Sequence, residues 1–560
     1  MAIGTRSNAF YDDAFAAGLE AEAIGYNSMA LGFQSKALQT NSLAYGTRAN
    51  ASAINAMATG TDSQASGVSS IASGTQAQAS KTGAIAIGPS SRATGIQTIA
   101  MGGEAEATGA YAISIGFNSL ANQTRSFAAG AQAKATANGA MALAAFSNAS
   151  GTDSISAGYN SLATGNNAIS FGTGTRATAR DAFATGLQAN ASRASAFAIG
   201  TNTIASGINS IALGTSSQAT NLDAYSFGVE SIASAENATA IGTMAKATGA
   251  NSFAVGLEAQ ASDSNSLAFG VESTSSGLSS TAIGTRAIAS NELTVAIGFN
   301  ASATAINSMA AGSSAQANGT DGVALGVLSS ASGLRTTALG TRANAAAVDG
   351  VAIGYEACAI AANAYAAGVK ALASGSNSMA WGVLAQATNF NSIAVGVCSQ
   401  STGIDSLALG ARSNANDTNA FAIGSFAEAD GVNSFAIGPN AKASGINAFA
   451  AGPNSYAEGN DAFAFGIQAE AIGDSSFAFG DFALTTSAAR DSLCYGDSCE
   501  ALGDNSSATG TNATAWQADF LCLWNQLQRL PNQRLCLRHQ LRGPSHQFDC
   551  FRNRGSSRRH

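Results

Sequence analysis

The side chains that most often catalyse reactions are sparse in this sequence. All three histidines, His539, His546 and His560, follow residue 515. Residues 1–515 contain many serines but no imidazole to activate them, and histidine is the commonest general base and metal ligand in proteins. We therefore expect no catalytic residues and no enzyme.

Metal and cofactor motifs are also missing from the sequence. Scattered acidic residues such as Glu20, Glu22 and Glu258 fit a solvated face better than a metal site. The glycine- and aspartate-rich nonapeptide that binds calcium in β-helix repeats is absent. Cys494 and Cys499 are close enough for a disulfide in a secreted protein, or their closeness is incidental. We expect no metal site and no cofactor.

Composition and charge narrow the class of protein further. The 560 residues include 62 glycines, well above the usual frequency of about 7%, and charged residues make up only 11%. Of the net charge of −8, residues 516–560 contribute +6, which leaves −14 on residues 1–515. An acidic body without a basic patch predicts no nucleic-acid partner. No run of 18 apolar residues or signal-peptide pattern is present, so we expect no membrane anchor in this chain.

A 14-residue repeat fills residues 1–515. Counting from Gly4 in steps of 14 reaches Gly480 through 35 positions, and Ala144 is the only one that is not glycine. Two extra residues then move the series to Gly496 and Gly510. We call these the main glycines. Such a strict short period predicts an all-β solenoid of about 36 coils, because each unit must stack on its neighbours to bury apolar surface.

Each unit carries a short apolar strand just before its main glycine. Ile211-Ala-Leu213 before Gly214 and Phe253-Ala-Val255 before Gly256 alternate large, small, large, which is the two-residue period of a β-strand. We expect the large residues to fill the interior, with Trp381 among them. The flatter Ala/Ser face is then the expected contact between chains, because a thin coil formed by one chain is expected to be only marginally stable on its own.

Turns are indicated by two glycine columns and one polar column. The main glycines, such as Gly200, and a weaker column seven residues on both fit turns with positive φ. Asn or Asp stands five residues before the main glycine in 25 of 36 units, as at Asn209 and Asn251. We expect these side chains to bond the turns and to form ladders along the stack.

The string N-S-h-A-h-G, where h is large and apolar, resembles the head repeat of YadA-like trimeric autotransporter adhesins. Matching stretches include the residues Asn209–Gly214, Asn251–Gly256, Asn265–Gly270, Asn391–Gly396 and Asn433–Gly438. The resemblance implies a left-handed parallel β-roll and a homotrimer on the bacterial cell surface or outer membrane. It also implies adhesion to extracellular matrix, host-cell surface proteins or other bacteria. The alternative is a structural spacer or fibre, such as a phage tail fibre, with no ligand of its own.

The repeat pattern ends after Ala515, so we divide the chain into a repeat region, 1–515, and a basic tail, 516–560. The 14-residue step from Gly510 reaches Trp524, Arg538 and Arg552. Read one base later, the codons of these residues and their successors can encode glycine followed by Thr or Ile. We therefore interpret the tail as the disordered product of a frameshift, with a basic segment for an acidic partner or a membrane surface as the alternative.

Overall fold

The computed structural model describes residues 1–523 and shows a parallel β-solenoid of about 37 coils, with no helix in that range. The chain forms two compact units, residues 1–314 and a second unit that begins at Ala315. Each coil contains one strand of three residues and one of two residues. The fourteen-residue repeat and the all-β class predicted from the sequence are confirmed.

In unit 1 the first strand is Ala2–Ile3. The strands of three residues then run from Phe15–Ala17 to Met309–Ala311, and the strands of two residues run from Asn8–Ala9 to Ser302–Ala303. Within both series each strand begins one full repeat after the previous one. This spacing follows from the spacing of the main glycines, one of which directly follows each strand of three residues in this unit except Met141–Leu143, where Ala144 takes its place.

In unit 2 the same spacing holds until the two-residue insertion. The longer strands run from Val323–Leu325 to Phe477–Phe479 and the shorter ones from Gln316–Ala317 to Leu484–Thr485, both in steps of one repeat. After the insertion, the strands are Leu493–Tyr495, Glu500–Ala501, Ser507–Thr509, Thr514–Ala515 and Leu521–Leu523. The last strand lies beyond the predicted boundary at residue 515, and the rest of the predicted tail lies outside the described residues.

Strands at equivalent positions of successive coils pair in parallel and in register, so that like positions stack; the short first strand, Ala2–Ile3, pairs with Phe15–Ala17. Phe183 is opposite Phe197, and Ala184 is opposite Ala198. The insertion does not disturb this alignment, because Phe477 still pairs with Leu493 across the longer connection. Each coil is therefore held mainly by its two neighbours, as in other solenoids.

The interior is built mainly from alanine and serine, which corrects the prediction that the large apolar residues fill it. Ala254, at the centre of its strand, is 0% exposed, whereas Phe253 is 38% exposed. Leu213 and Trp381 are also exposed, and Ile211 and Val255 are only partly buried. So short a coil brings its two sheets so close that only small side chains fit between them. The Ala/Ser face is consequently inside the coil and unavailable as the predicted contact between chains.

Candidate interaction surfaces

The outer face of the three-residue strands is an apolar surface in each unit. We call it the apolar stripe and define it as the first and third residues of every three-residue strand, for example Phe253 and Val255. Several of its side chains are more than half exposed, including Tyr45, Phe269, Trp381, Phe465 and Tyr495. Monomeric soluble proteins rarely expose long continuous apolar patches, so a surface of this kind indicates a partner.

The residue types in the apolar stripe support this interpretation. Over residues 1–523, its positions contain no Asp, Glu, Lys, Arg, His, Asn or Gln; they hold apolar residues with occasional Thr and Ser. Depletion of charged residues is the mark of the buried centre of a protein interface. A surface exposed only to solvent would be expected to carry charged residues in some of its coils.

The outer face of the two-residue strands is different. We call the first residues of these strands the polar face; in most coils they are charged or amide residues, such as Gln64, Gln78 and Arg92. Opposite charges in adjacent coils form ion pairs here, with Lys442 Nζ 2.7 Å from Glu428 Oε2. Such exposed pairs contribute little stability but keep the surface hydrated.

The main glycines occupy turns that no other residue fits well. Gly200 has φ of +130°, and a Cβ on it would lie 2.8 Å from the carbonyl oxygen of Gly214 in the next coil. Gly214 and Gly256 have φ of +124° and +131°. Positive φ and close backbone approach together explain why the column tolerates so little variation. The single exception, Ala144, also has positive φ, at +101°.

The prediction for the second glycine column was wrong. Gly25 and Gly207 are not among the residues with positive φ, although a Cβ on either would overlap the backbone of the next coil. The positive φ instead falls two residues later, on the Asn/Asp column: Asn209 has φ of +56° and Asn251 has +55°. Asn and Asp tolerate this region better than most residues, which explains their frequency there.

The predicted ladders are present and have a direction. Asn209 Nδ2 donates to Asp223 Oδ1 at 3.0 Å, and Asn237 Nδ2 donates to Asn251 Oδ1, also at 3.0 Å. Each amide donates to the equivalent residue of the next coil. Asp can accept this bond, but its carboxylate has no N–H to pass on. Amide-to-carboxylate bonds of this kind include Asn167–Asp181, Asn209–Asp223, Asn391–Asp405 and Asn447–Asp461.

Positions in this column also carry ion pairs that shift pKa values. Arg335 Nε and Nη2 donate to the two carboxylate oxygens of Asp349 at 2.6 and 2.8 Å. These hydrogen bonds lower the pKa of Asp349 from its ordinary value. Both side chains are solvent-exposed, so the pair forms part of a hydrated corner and does not resemble a catalytic dyad.

Cys494 and Cys499 form a disulfide inside unit 2. Their Cα atoms are 5.7 Å apart, and both residues are fully buried. The same two interior positions elsewhere hold hydrogen-bonded hydroxyls, with Ser114 Oγ and Ser119 Oγ 2.7 Å apart. The sequence spacing left a disulfide and an incidental pair as alternatives, and the structure contains the disulfide. It lies in the coil that follows the insertion.

Metal clusters and membrane-spanning helices do not contribute further candidates. Over residues 1–523, no group of three or more His, Cys, Asp or Glu side chains is arranged to hold a metal ion. No helix in this range is long and apolar enough to cross a membrane. The features that remain as candidate sites are the two outer faces and the turns between them.

Comparison with known proteins agrees with the repeat. No curated protein matches the chain. The model of the YadA head domain repeat matches many segments, some of which overlap, at residues 23–49, 40–63, 51–72, 65–91, 93–119, 149–175, 177–203, 205–228, 219–245, 233–259, 247–273, 261–287, 275–301, 289–313, 303–329, 331–357, 373–397, 401–427, 429–455, 457–483 and 501–516. Because these matches cover more than half of the chain, the protein belongs to the YadA head family, a structural family of adhesin type.

Proposed function

We propose that the protein is the head of a trimeric adhesin, which attaches a bacterium to extracellular matrix, host-cell surface proteins or other bacteria. The observation that carries the proposal is the YadA head repeat, matched along more than half of the chain. The family is of adhesin type and occurs in trimeric autotransporters, which supports a site of action at the bacterial surface or outer membrane.

The apolar stripe is the surface that we assign to self-association. It recurs in every coil of a unit, and its spacing is set by the pairing of parallel strands, about 4.8 Å apart. A partner that covers it must present apolar groups at the same spacing over a similar length. Another copy of the same chain meets this requirement, and the trimer of the family supplies two.

The polar face and the turns are then the surfaces left for a ligand. Their repetition supports attachment through many weak contacts along each chain and across three chains. Because linked contacts raise the effective local concentration of each binding site, avidity can far exceed the affinity of one coil. This form of attachment needs no catalytic residue, cofactor or metal ion.

Two measurements on the full chain test the proposal. Sedimentation should give three times the chain mass, and a single-chain mass would refute the trimer. Binding to immobilised collagen, fibronectin and laminin should then be compared with binding to albumin as a control surface. A trimer that binds none of these three, nor cultured cells or other bacteria, would contradict the adhesin and support the spacer or fibre.

The division at residue 515 remains a proposal of its own. We propose that residues 1–515 form the adhesive region and that residues 516–560 are encoded in a shifted frame. The coding sequence decides this: reading one base later should restore glycine at every fourteenth position. A shifted frame without that series would refute it.

A further inference from the structure

One segment of the apolar stripe in unit 2 differs from the rest. Its first strand position is phenylalanine in five successive coils, at Phe421, Phe435, Phe449, Phe463 and Phe477. Neighbouring ring centroids are 4.8 to 6.0 Å apart, and the first and last pairs are within 4° of parallel. We call this run the phenylalanine ladder.

A repetitive apolar stripe leaves the alignment of two copies poorly defined. Around Ile393 and Leu407 the stripe is aliphatic, and moving one copy by a coil places one aliphatic side chain where another was. Hydrophobic burial is not directional, so such a shift loses little. Alignment must therefore come from places where side-chain size changes between coils.

The two ends of the phenylalanine ladder provide such changes, because the ladder lies between Leu407 and Leu493. A shift by one coil would bring the ring at one end of the ladder to a position shaped for leucine and leave a void at the other end. Both overpacking and voids weaken a packed surface.

The rings are also ordered before any partner arrives. Each ladder ring is held against its neighbour in the same chain, so association costs little side-chain entropy. Rigid aromatic anchors of this kind commonly dominate interfaces. We infer that the phenylalanine ladder fixes the coil-to-coil alignment of the three copies, with its occupant the same segment of the second and third chains. This inference rests on the proposed trimer.

The test is a photo-cross-linking measurement on the full chain. Trp381, on the apolar stripe of the same unit and 57% exposed, is replaced by p-benzoylphenylalanine. Isotopically labelled and unlabelled chains are refolded together, irradiated and mapped by mass spectrometry. In the parent chain we expect cross-links confined to one coil of the partner. With all five ladder residues changed to Leu, we expect additional cross-links one coil to either side, which is the offset of the strand pairing.

The matched control changes five isoleucines at the same strand position of unit 1 to Leu, namely Ile71, Ile85, Ile99, Ile113 and Ile155. Its cross-links should stay confined. The ladder variant keeps an apolar stripe, so it should still sediment as a trimer. Confined cross-links in a trimeric ladder variant would overturn the alignment role alone. A parent chain that sediments as a monomer would overturn the trimer and, with it, the alignment role.

Discussion

The two sheets of each unit share one interior but have different outer faces. Ala254 and Ala261 both point inward and are fully buried, although they belong to different sheets. On the outside, Phe253 and Val255 contribute to the apolar stripe, whereas Gln260 lies on the polar face. The small inward residues therefore determine the fold of the single chain, and the large outward ones determine what the chain contacts.

The largest expected effect is loss of association on introducing charge into the apolar stripe. Phe253→Asp should abolish the trimer, because three carboxylates would be buried without partners. Gln260→Asp, on the polar face of the same coil, should leave the trimer intact. Sedimentation of both variants checks this difference. Equal sedimentation of the two variants would show that the outer faces are equivalent in assembly.

The next largest effect is a loss of stability when a residue that faces the interior is enlarged, compared with a change to an outward-facing residue of the same strand. Ala254→Leu should destabilise its coil by about 1–3 kcal/mol or more, because the narrow interior has no room for three further carbons. Phe253→Leu, one residue earlier but facing outward, should leave amide protection of the neighbouring coils close to that of the parent. Hydrogen exchange measured on both variants separates these outcomes. Normal protection in Ala254→Leu would mean that the interior is wider than its side chains indicate.

A smaller effect is expected where the interior is cross-linked. Replacing both Cys494 and Cys499 by Ser should restore the hydroxyl pair seen at Ser114 and Ser119. Loss of the short covalent loop should cost about 2 kcal/mol, partly offset by about 1 kcal/mol from the new hydrogen bond. Hydrogen exchange of residues 493–501 measures the net change. The single variant Cys494→Ser, which leaves one thiol unpaired, is the control and should be no more stable than the double variant.

The smallest effect is a change of pKa on the hydrated corner. Arg335→Gln should raise the pKa of Asp349 towards its ordinary value of about 3.8, because the two hydrogen bonds to the carboxylate are lost. The lowered pKa of the parent gives a stabilisation that is present above the unfolded value and lost as pH falls through the folded value. Carboxyl NMR titration measures the shift, and Arg412→Gln should leave the pKa of Asp349 unchanged.

The sequence was sufficient to predict the coil, the strands and the Asn ladders, but not which strand face is inside. Alternation in Phe253-Ala-Val255 shows that the strand has two faces but not which of them points into the coil. The usual rule that large apolar residues are buried gave the wrong answer. That rule fails because so short a coil has space only for small side chains, whereas its large apolar residues point outward, where a partner chain can bury them.

The sequence nevertheless indicated which face is inside, through the range of residue sizes at each strand position. The central strand position is Ala, Ser or Cys in every coil, as at Ala380 and Cys494. The third position ranges from Ala367 to Trp381 in successive coils. A confined interior cannot accept such a range, so variation in size marks the outside. The positive φ at Asn209 was hidden for a different reason, since glycine is the more obvious indicator of that conformation.

The insertion at Ser487 and Ala488 has a practical consequence for protein engineering. Both sheets keep their alignment across it, because Phe477 pairs with Leu493 and Leu484 with Glu500. This corner therefore tolerates added sequence that a strand would not. A foreign epitope grafted between these residues would be displayed on the surface without a change in either ladder of strands, which makes this corner a natural position for vaccine or labelling inserts.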